Sequence, residues 1–330
     1  MKDLSRKRAT LLGVAVGGPL SIVFLWLAVR GADPGEVWSA LRGADLGWVA
    51  LAVAAIAGVY VLQATRWRRV ARTTEPSTRR FLEMVVSGIA VNNVLPGRVG
   101  DLLRARWLQI DARIAGGRAL ATVFVDRSFD VLALVIFLVV SLPFIASAEW
   151  LGRIVLGGLS LLVLVVLALV AARIYTGRNP RQRRTRGLLR RVVRDVLEGL
   201  ADPLGRRRGA LLVGMSLAAW ASWALAAWLV ARSLAIELSP IEAVFVTAVI
   251  NLGVAIPSSP GFIGTYQWLA VSALSLLGVG TEQALAFGIL GHAVWYVPTL
   301  VTGGAFLIRR GVRTVKPDGA SIGLERLSDA

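Results

Sequence analysis

Apolar residues run along this chain in stretches too long and too unbroken to be the faces of soluble helices. Six runs, at residues 10–29, 46–63, 120–145, 154–172, 210–230 and 283–308, are each bounded by Arg, Gly or Pro at one end or both. A helix of about 20 residues crosses a hydrocarbon core of ~30 Å, so the pattern predicts six spanning helices. The first run follows Lys2, Arg6, Lys7 and Arg8 and is too long for the apolar region of a signal peptide, so it is expected to be retained.

Two further apolar segments are interrupted. Residues 81–109 break at Asn92-Asn93-Val94-Leu95-Pro96-Gly97-Arg98-Val99-Gly100-Asp101, and residues 241–278 break at Pro257-Ser258-Ser259-Pro260-Gly261-Phe262-Ile263-Gly264. Proline removes a backbone donor and glycine loosens a helix, so neither segment is one straight span. The breaks share the pattern P-G-x-[VI]-G, at Pro96 and at Pro260, and Asn92 and Asn251 precede them in similar apolar runs. Discontinuous helices at corresponding places in two halves are the mark of an inverted repeat with a site near the membrane midplane.

Charge then orients the pattern. The chain holds 37 Lys+Arg against 20 Asp+Glu, a net charge of +17. If each broken segment enters and leaves on one face as a re-entrant hairpin, 31 of the 37 positive residues lie on the N-terminal side, in 2–8, 66–80, 104–118, 173–208 and 309–326. If each crosses once, that asymmetry disappears, so the positive-inside rule selects the hairpins. The expected fold is therefore all-α and polytopic, with six spanning helices, two broken re-entrant hairpins and both termini cytoplasmic at the plasma membrane. Its expected organisation is one transmembrane domain over 1–316, with a first repeat at about 10–172, a basic cytoplasmic loop at 173–209 and a second repeat at about 210–310. A disordered tail is expected at 317–330.

Composition narrows the chemistry. A mean hydropathy of +0.67 with 56% hydrophobic residues is not that of a soluble protein. No cysteine is present and His292 is the one histidine, so no thiolate site, multi-histidine metal site or cofactor is expected. The basic run Arg181-Gln182-Arg183-Arg184-Thr185-Arg186 has no aromatic interleaving or reading helix beside it, which argues against nucleic acid. In the same loop Leu188, Leu189, Val192, Val193, Val196, Leu197 and Leu200 recur at helical spacing between arginines. A surface amphipathic helix lying on anionic inner-leaflet lipids is expected there, each Arg near the surface contributing about 1 kcal/mol.

Five ionisable residues fall in or near the hydrocarbon: Arg98, Asp101, Asp126, Arg127 and Asp130. Each costs about 2.5–3.5 kcal/mol at the centre of a lone helix, so they are expected to face the protein interior, water or one another. Asp130 stands four residues after Asp126 and three after Arg127, within reach of both on a helix. Two roles are open. The group can be a buried, nearly neutral network that locks the first hairpin against the following helix. Alternatively Arg98, with Arg104 at the cytoplasmic edge, holds a lipid phosphate while Asp101, Asp126 and Asp130 orient the arginines or carry a coupling proton, Arg127 lying in the same group. Arginine suits phosphate because its planar fork donates in pairs and keeps its proton. Asn92, Asn93, Ser258 and Ser259 add neutral donors at the breaks. His292 is expected to be a helix–helix hydrogen-bond partner, Pro298 to kink the last span, and Trp220, Trp223 and Trp228 to serve packing or interface anchoring.

The stretch from Asn93 to Arg104, then Val125-Asp126-Arg127-Ser128-Phe129-Asp130, then Pro257 to Thr265, resembles the lysylphosphatidylglycerol synthase transmembrane family, also called flippase-like, over about residues 10–310. The resemblance implies a polytopic plasma-membrane protein; in the synthases this region moves an aminoacylated lipid between leaflets. The family commonly has Glu where this chain has Asp101 and Asp126, which keeps the charge. It often has a second Gly at Phe262 and a Glu at Gln267, which puts the contacts of the second hairpin in doubt. The synthases carry a soluble catalytic domain after the membrane region, and this sequence ends about 22 residues beyond its last predicted helix. The synthase activity is accordingly not carried over, and no enzyme is expected. The reading is a flippase-like transporter of an anionic or polyisoprenoid-linked lipid. Its rivals are a non-transporting scaffold for a cell-envelope lipid glycosyltransferase and an intramembrane lipid-phosphate transferase.

Overall fold

The computed structural model describes residues 18–95, 98–145, 206–254 and 260–315, and every regular element among them is helical. A short helix α1 (Gly18–Val29) leads into α2 (Pro34–Arg42). There follow α3 (Leu46–Ala71), α4 (Thr78–Val94), α5 (Val99–Asp111) and α6 (Gly116–Ser141), then α7 (Arg206–Ser233), α8 (Pro240–Gly253), α9 (Thr265–Ser275) and α10 (Thr281–Val315). Single 3-10 turns occupy Leu142–Phe144 and Pro260–Phe262.

Helix starts follow local chemistry. The Asp33 carboxylate accepts from the amides of Gly35 and Glu36, and the Asp45 carboxylate accepts from Gly47 at 2.7 Å, so both satisfy amides that the first turn leaves free. Ser239 and Glu242 form a capping box at α8, with Pro240 as its first residue.

Among the described residues three helices are long and apolar enough to cross a membrane: α3, α7 and α10. They cover three of the six expected spans. The expected span at 120–145 falls on α6, which equals α3 in length but carries Asp126, Arg127 and Asp130 across its middle, so length and composition alone do not qualify it. Only 18–29 of the first expected span is described. The span expected at 154–172, most of the basic loop, Ser258, Ser259 and the tail lie outside the described residues. Both interrupted segments are indeed pairs of helices, α4 with α5 and α8 with α9, parted at the expected residues.

The helices follow one another as long, short, short, long, twice over: 26, 17, 13 and 26 residues for α3 to α6, then 28, 14, 11 and 35 for α7 to α10. The two leading helices, α3 and α7, pack side by side in opposite directions. The Asp45 amide bonds the Ser233 carbonyl at one end, the Ser222 hydroxyl donates to the Ala55 carbonyl in the middle, and Arg208 donates to the Arg69 carbonyl at the other end. Two further close pairs also cross between the sets: α10 packs on α4, and α8 on α6. Between helices surrounded by lipid, small residues and hydrogen bonds replace hydrophobic expulsion as the source of attraction. Gly303 shows this, since a Cβ there would come within 2.5 Å of the Ala90 Cβ and 2.9 Å of the Val86 carbonyl oxygen. One continuous apolar core, including Ile56, Tyr60, Leu229, Phe245, Leu269 and Phe287, joins the two sets.

Candidate functional site

The first break begins where α4 ends at Val94. Arg98 takes a left-handed conformation with φ of 54°, and the Asn92 side-chain oxygen accepts from the Gly100 amide at 2.7 Å, which caps the new helix from the old one. The arms of this hairpin touch: a Cβ on Gly100 would overlap the Gly88 carbonyl oxygen, and one on Gly88 would lie 2.6 Å from the Arg104 side chain. Two glycines thus let α5 lie against α4 and let Arg104 pass between them into the interior.

There Arg104 is buried and meets Asp126 of α6 at 3.2 Å and Asp101 of its own helix at 3.6 Å, with its guanidinium 4.3 Å from the centre of the Trp67 ring. Arg66 of α3, fully buried, bridges Asp126 at 2.9 Å and Asp130 at 2.8 Å and donates to the Ser216 hydroxyl of α7 at 2.6 Å. Arg127 bonds Asp101 at 2.9 Å and approaches Asp130 at 3.5 Å. The Trp220 indole of α7 donates to Asp130 at 3.1 Å, and the Trp67 indole donates to Thr122 at 3.0 Å. Three arginines of α3, α5 and α6 thus face three aspartates of α5 and α6, and α7 joins them through Ser216 and Trp220. The five residues singled out from the sequence, three Asp and two Arg, sum to −1; with Arg66 and Arg104 in the network and Arg98 outside its ion pairs, the sum is zero.

Burial divides the arginines. Arg66 and Arg104 have side chains 0% and 1% exposed, whereas Arg127 is 31% exposed, so one member of the network opens outward. Nη2 of Arg66 and the Nε atoms of Arg104 and Arg127 have no hydrogen-bond partner among the described residues. Donors remain even in a group of balanced charge.

Of the predicted residues, the structure brings together Asp101, Arg104, Asp126, Arg127 and Asp130. Arg104 lies in the interior, not at the edge. Arg98 is exposed at the tip of the hairpin, with no ion pair among the described residues. Asn92 is a helix cap, and Asn93 is buried with its Nδ2 unpaired. Sequence reading placed Arg66 with the cytoplasmic positive residues and missed its role, along with those of Trp67, Ser216 and Trp220. A signal for Arg66 existed: buried positions of α3 recur through Ile56, Val59, Tyr60, Gln63 and Ala64, and Arg66 and Trp67 continue that stripe. Trp220 proves to be a hydrogen-bond donor to Asp130 as well as a packing residue.

The second break is built without charge. Gly261, Phe262 and Gly264 have φ of 74°, 60° and 85°, and this turn packs against α4. The left-handed Phe262 holds a conformation that favours glycine. The Gln267 side-chain oxygen accepts from the Gly264 amide at 2.7 Å, and its amide nitrogen meets Nδ1 of His292 at 2.9 Å. His292 stacks on Tyr266 with ring centres 4.8 Å apart. His292 is thus the expected helix–helix partner, joining α10 to α9. The Tyr296 hydroxyl donates to the Asn93 carbonyl at 3.4 Å, tying α10 to the end of α4. Among the described residues no three His, Asp or Glu groups stand together as a metal site.

Interrupted apolar helices gathered round a neutral cluster of buried charges define a helical integral membrane protein. Its sequence matches the profile of the lysylphosphatidylglycerol synthase TM region over residues 10–303, and the chain belongs to that family. It is 27% identical to the glycosyltransferase AglD of Haloferax volcanii over 88% of this chain and 53% of that protein, so it spans about half that relative's length. It is also 23% identical to a UPF0104 membrane protein of Methanocaldococcus jannaschii, over 67% of this chain and 95% of the relative. These likenesses mark a lipid-related membrane protein.

Proposed function

We propose that this protein is a flippase-like transporter that passes a lipid with an anionic headgroup, polyisoprenoid-linked or otherwise, between the leaflets of the plasma membrane. The observation that carries the reading is the open member of the charge network: Arg127, part exposed and bound to Asp101, with Arg98 exposed at the tip of the hairpin that carries Asp101. These two take the lipid phosphate, for which paired guanidinium donors are the best neutral-pH ligand. Arg66 and Arg104 hold Asp101, Asp126 and Asp130 in place, so that Asp101 can release Arg127 to the phosphate without leaving a carboxylate unpaired. Asn92 shapes the hairpin, and Ser258 and Ser259 add neutral donors from the second break. No catalytic role is assigned to any residue.

The two sets of four helices support an inverted repeat, since corresponding leading helices run in opposite directions. The ion pair of Arg80 with Asp111 at 3.0 Å joins the outer ends of α4 and α5, as a hairpin entering and leaving on one face requires. Six spans, alternating access between the two hairpins and a cytoplasmic face that carries both termini follow from this reading. The basic loop then rests on anionic inner-leaflet lipids. The likeness to a protein named a glycosyltransferase favours a second reading, a membrane scaffold for such an enzyme.

Reconstitution decides between them. Wild-type protein in vesicles is expected to expose a labelled anionic phospholipid to the outer leaflet; Arg98→Ala is expected to slow this at least tenfold with unchanged melting temperature, and Arg127→Ala to slow it as much with a lower melting temperature, since Asp101 then keeps only the more distant Arg104. Unchanged rates in both variants would sink the assignment of these arginines, and no movement of any lipid would leave the scaffold.

A further inference from the structure

The three aspartates of the network are not held alike. Asp126 meets Arg66 with Oδ1 and Arg104 with Oδ2, and Asp130 meets Arg66 and the Trp220 indole with Oδ1 and Arg127 with Oδ2. Their side chains are 2% and 7% exposed. Asp101 uses Oδ1 alone: Arg127 of α6 reaches that oxygen at 2.9 Å, and Arg104, one turn further along α5, at 3.6 Å. Among the described residues its Oδ2 makes no ion pair or hydrogen bond, and the side chain is 16% exposed. Asp101 is therefore the carboxylate that can move while the other two stay fixed.

Its nearer partner is also the arginine that opens outward. Arg127 keeps Asp130 at 3.5 Å when Asp101 leaves, and Asp101 keeps Arg104, so the exchange strands neither group. A carboxylate and a phosphodiester present the same face to a guanidinium, one negative charge shared by two accepting oxygens, so one can take the place of the other on Arg127. Charge fits this exchange. Arg66, Arg104 and Arg127 balance Asp101, Asp126 and Asp130, and a phosphate with one negative charge finds its counter-charge in Arg98, the N-cap residue of α5 three positions before Asp101. A charge buried without an opposite neighbour is costly, so a site balanced in this way admits one added negative charge.

We infer that Asp101 is a displaceable counter-ion: it occupies on Arg127 the place of a singly charged lipid phosphate, turns to Arg104 when the lipid arrives, and returns to Arg127 to expel it. The inference rests on the transport reading and deepens it, because it makes Asp101 a competitor of the lipid, whereas a residue that only supports Arg127 would aid binding. The two roles predict opposite signs. With the competitor removed, the lipid binds more tightly and leaves more slowly; with a support removed, it binds more weakly.

The test measures binding and movement separately. The full chain in detergent is titrated with phosphatidylglycerol, a phosphodiester with one negative charge, and with phosphatidylcholine, which has no net charge, and bound lipid is counted by native mass spectrometry. Asp101→Asn is expected to bind phosphatidylglycerol about tenfold more tightly than wild type, as the loss of one competing hydrogen bond between charged groups predicts, with a smaller change for phosphatidylcholine. In vesicles the same variant is expected to move phosphatidylglycerol more slowly. Asp101→Glu keeps the competing charge and is expected to match wild type in both measurements. Glu36→Gln makes the same change in net charge at an exposed position in the first turn of α2 and is expected to leave binding unchanged, which separates the site from overall charge. Melting temperatures are followed in parallel, and should Asp101→Asn not fold, Asp101→Ser, smaller and also neutral, carries the same expectation. Equal or weaker binding by the folded neutral variant, equal tightening in Glu36→Gln, or movement as fast as that of an active wild type overturns the inference. If wild type moves no lipid while Asp101→Asn still binds phosphatidylglycerol more tightly, the transport reading fails and the exchange at Arg127 stands.

Discussion

The first break places an ion pair where the second places two neutral side chains, and the surroundings differ accordingly. Around Asp101 and Arg127 the protein adds Arg66, Arg104, Asp126 and Asp130, together with a donor from Trp220 and an acceptor from Ser216, so that every buried charge has an opposite neighbour. Around Gln267 and His292 a backbone amide and stacked aromatic rings suffice. A charge in a membrane-embedded interior has to be met by others, whereas an amide is satisfied by local partners. The charged half also spans four helices, and the neutral half chiefly ties α9, α10 and the end of α4. The first break is thus a rigid charged frame, and the second a smaller joint.

Removing the keystone of the frame has the largest expected effect. Arg66→Met takes the bridging cation from Asp126 and Asp130, both buried, and leaves net negative charge in the interior. A loss of about 3–5 kcal/mol is expected, read as a large fall in melting temperature in detergent. A variant as stable as wild type would show that the network carries no structural load. Next comes Gly100→Ala, whose Cβ would overlap the Gly88 carbonyl. The arms of the first hairpin must part, which draws Arg104 away from Trp67 and Asp126; overpacking of this kind costs about 1–3 kcal/mol. Tryptophan fluorescence should move with stability, since Trp67 lies under Arg104. Third, Gln267→Ala removes two hydrogen bonds from the neutral joint, about 1–2 kcal/mol in all. It should leave the charged frame intact, so a fall as deep as that of Arg66→Met would contradict the contrast between the two breaks.

How far the sequence reveals this arrangement depends on what each residue does locally. The broken helices were legible because proline and glycine act through the backbone of their own segment, and Asp126, Arg127 and Asp130 because charge in an apolar run has no local excuse. Arg66 was not: it stands beside Arg68 and Arg69 near the end of a span, where positive residues ordinarily mark the membrane edge. Only α6 and α7, far along the chain, turn it inward. His292 could be read as a helix partner, but its tautomer follows from Gln267 and Gly264, a chain of contacts that no spacing announces. The departure of Gln267 from the family's usual Glu was visible and now has a structural setting, since an amide is what caps Gly264 and donates to His292.

The smallest effect on stability is expected where the contrast is erased. Asp101→Asn combined with Arg127→Gln turns the first crossing into a neutral amide pair like the second. Arg66 and Arg104 still face Asp126 and Asp130, so the frame keeps zero net charge, and replacing both members of an ion pair is often nearly neutral. The melting temperature should change by no more than about 1 kcal/mol of stability implies, whereas Arg127→Gln alone leaves Asp101 with the more distant Arg104 and should cost more. Movement of an anionic lipid should nevertheless fall to background in the double variant, because the part-exposed guanidinium that meets the phosphate is gone. A folded double variant that moves lipid at the wild-type rate would place the phosphate elsewhere and reduce the first break to a structural lock.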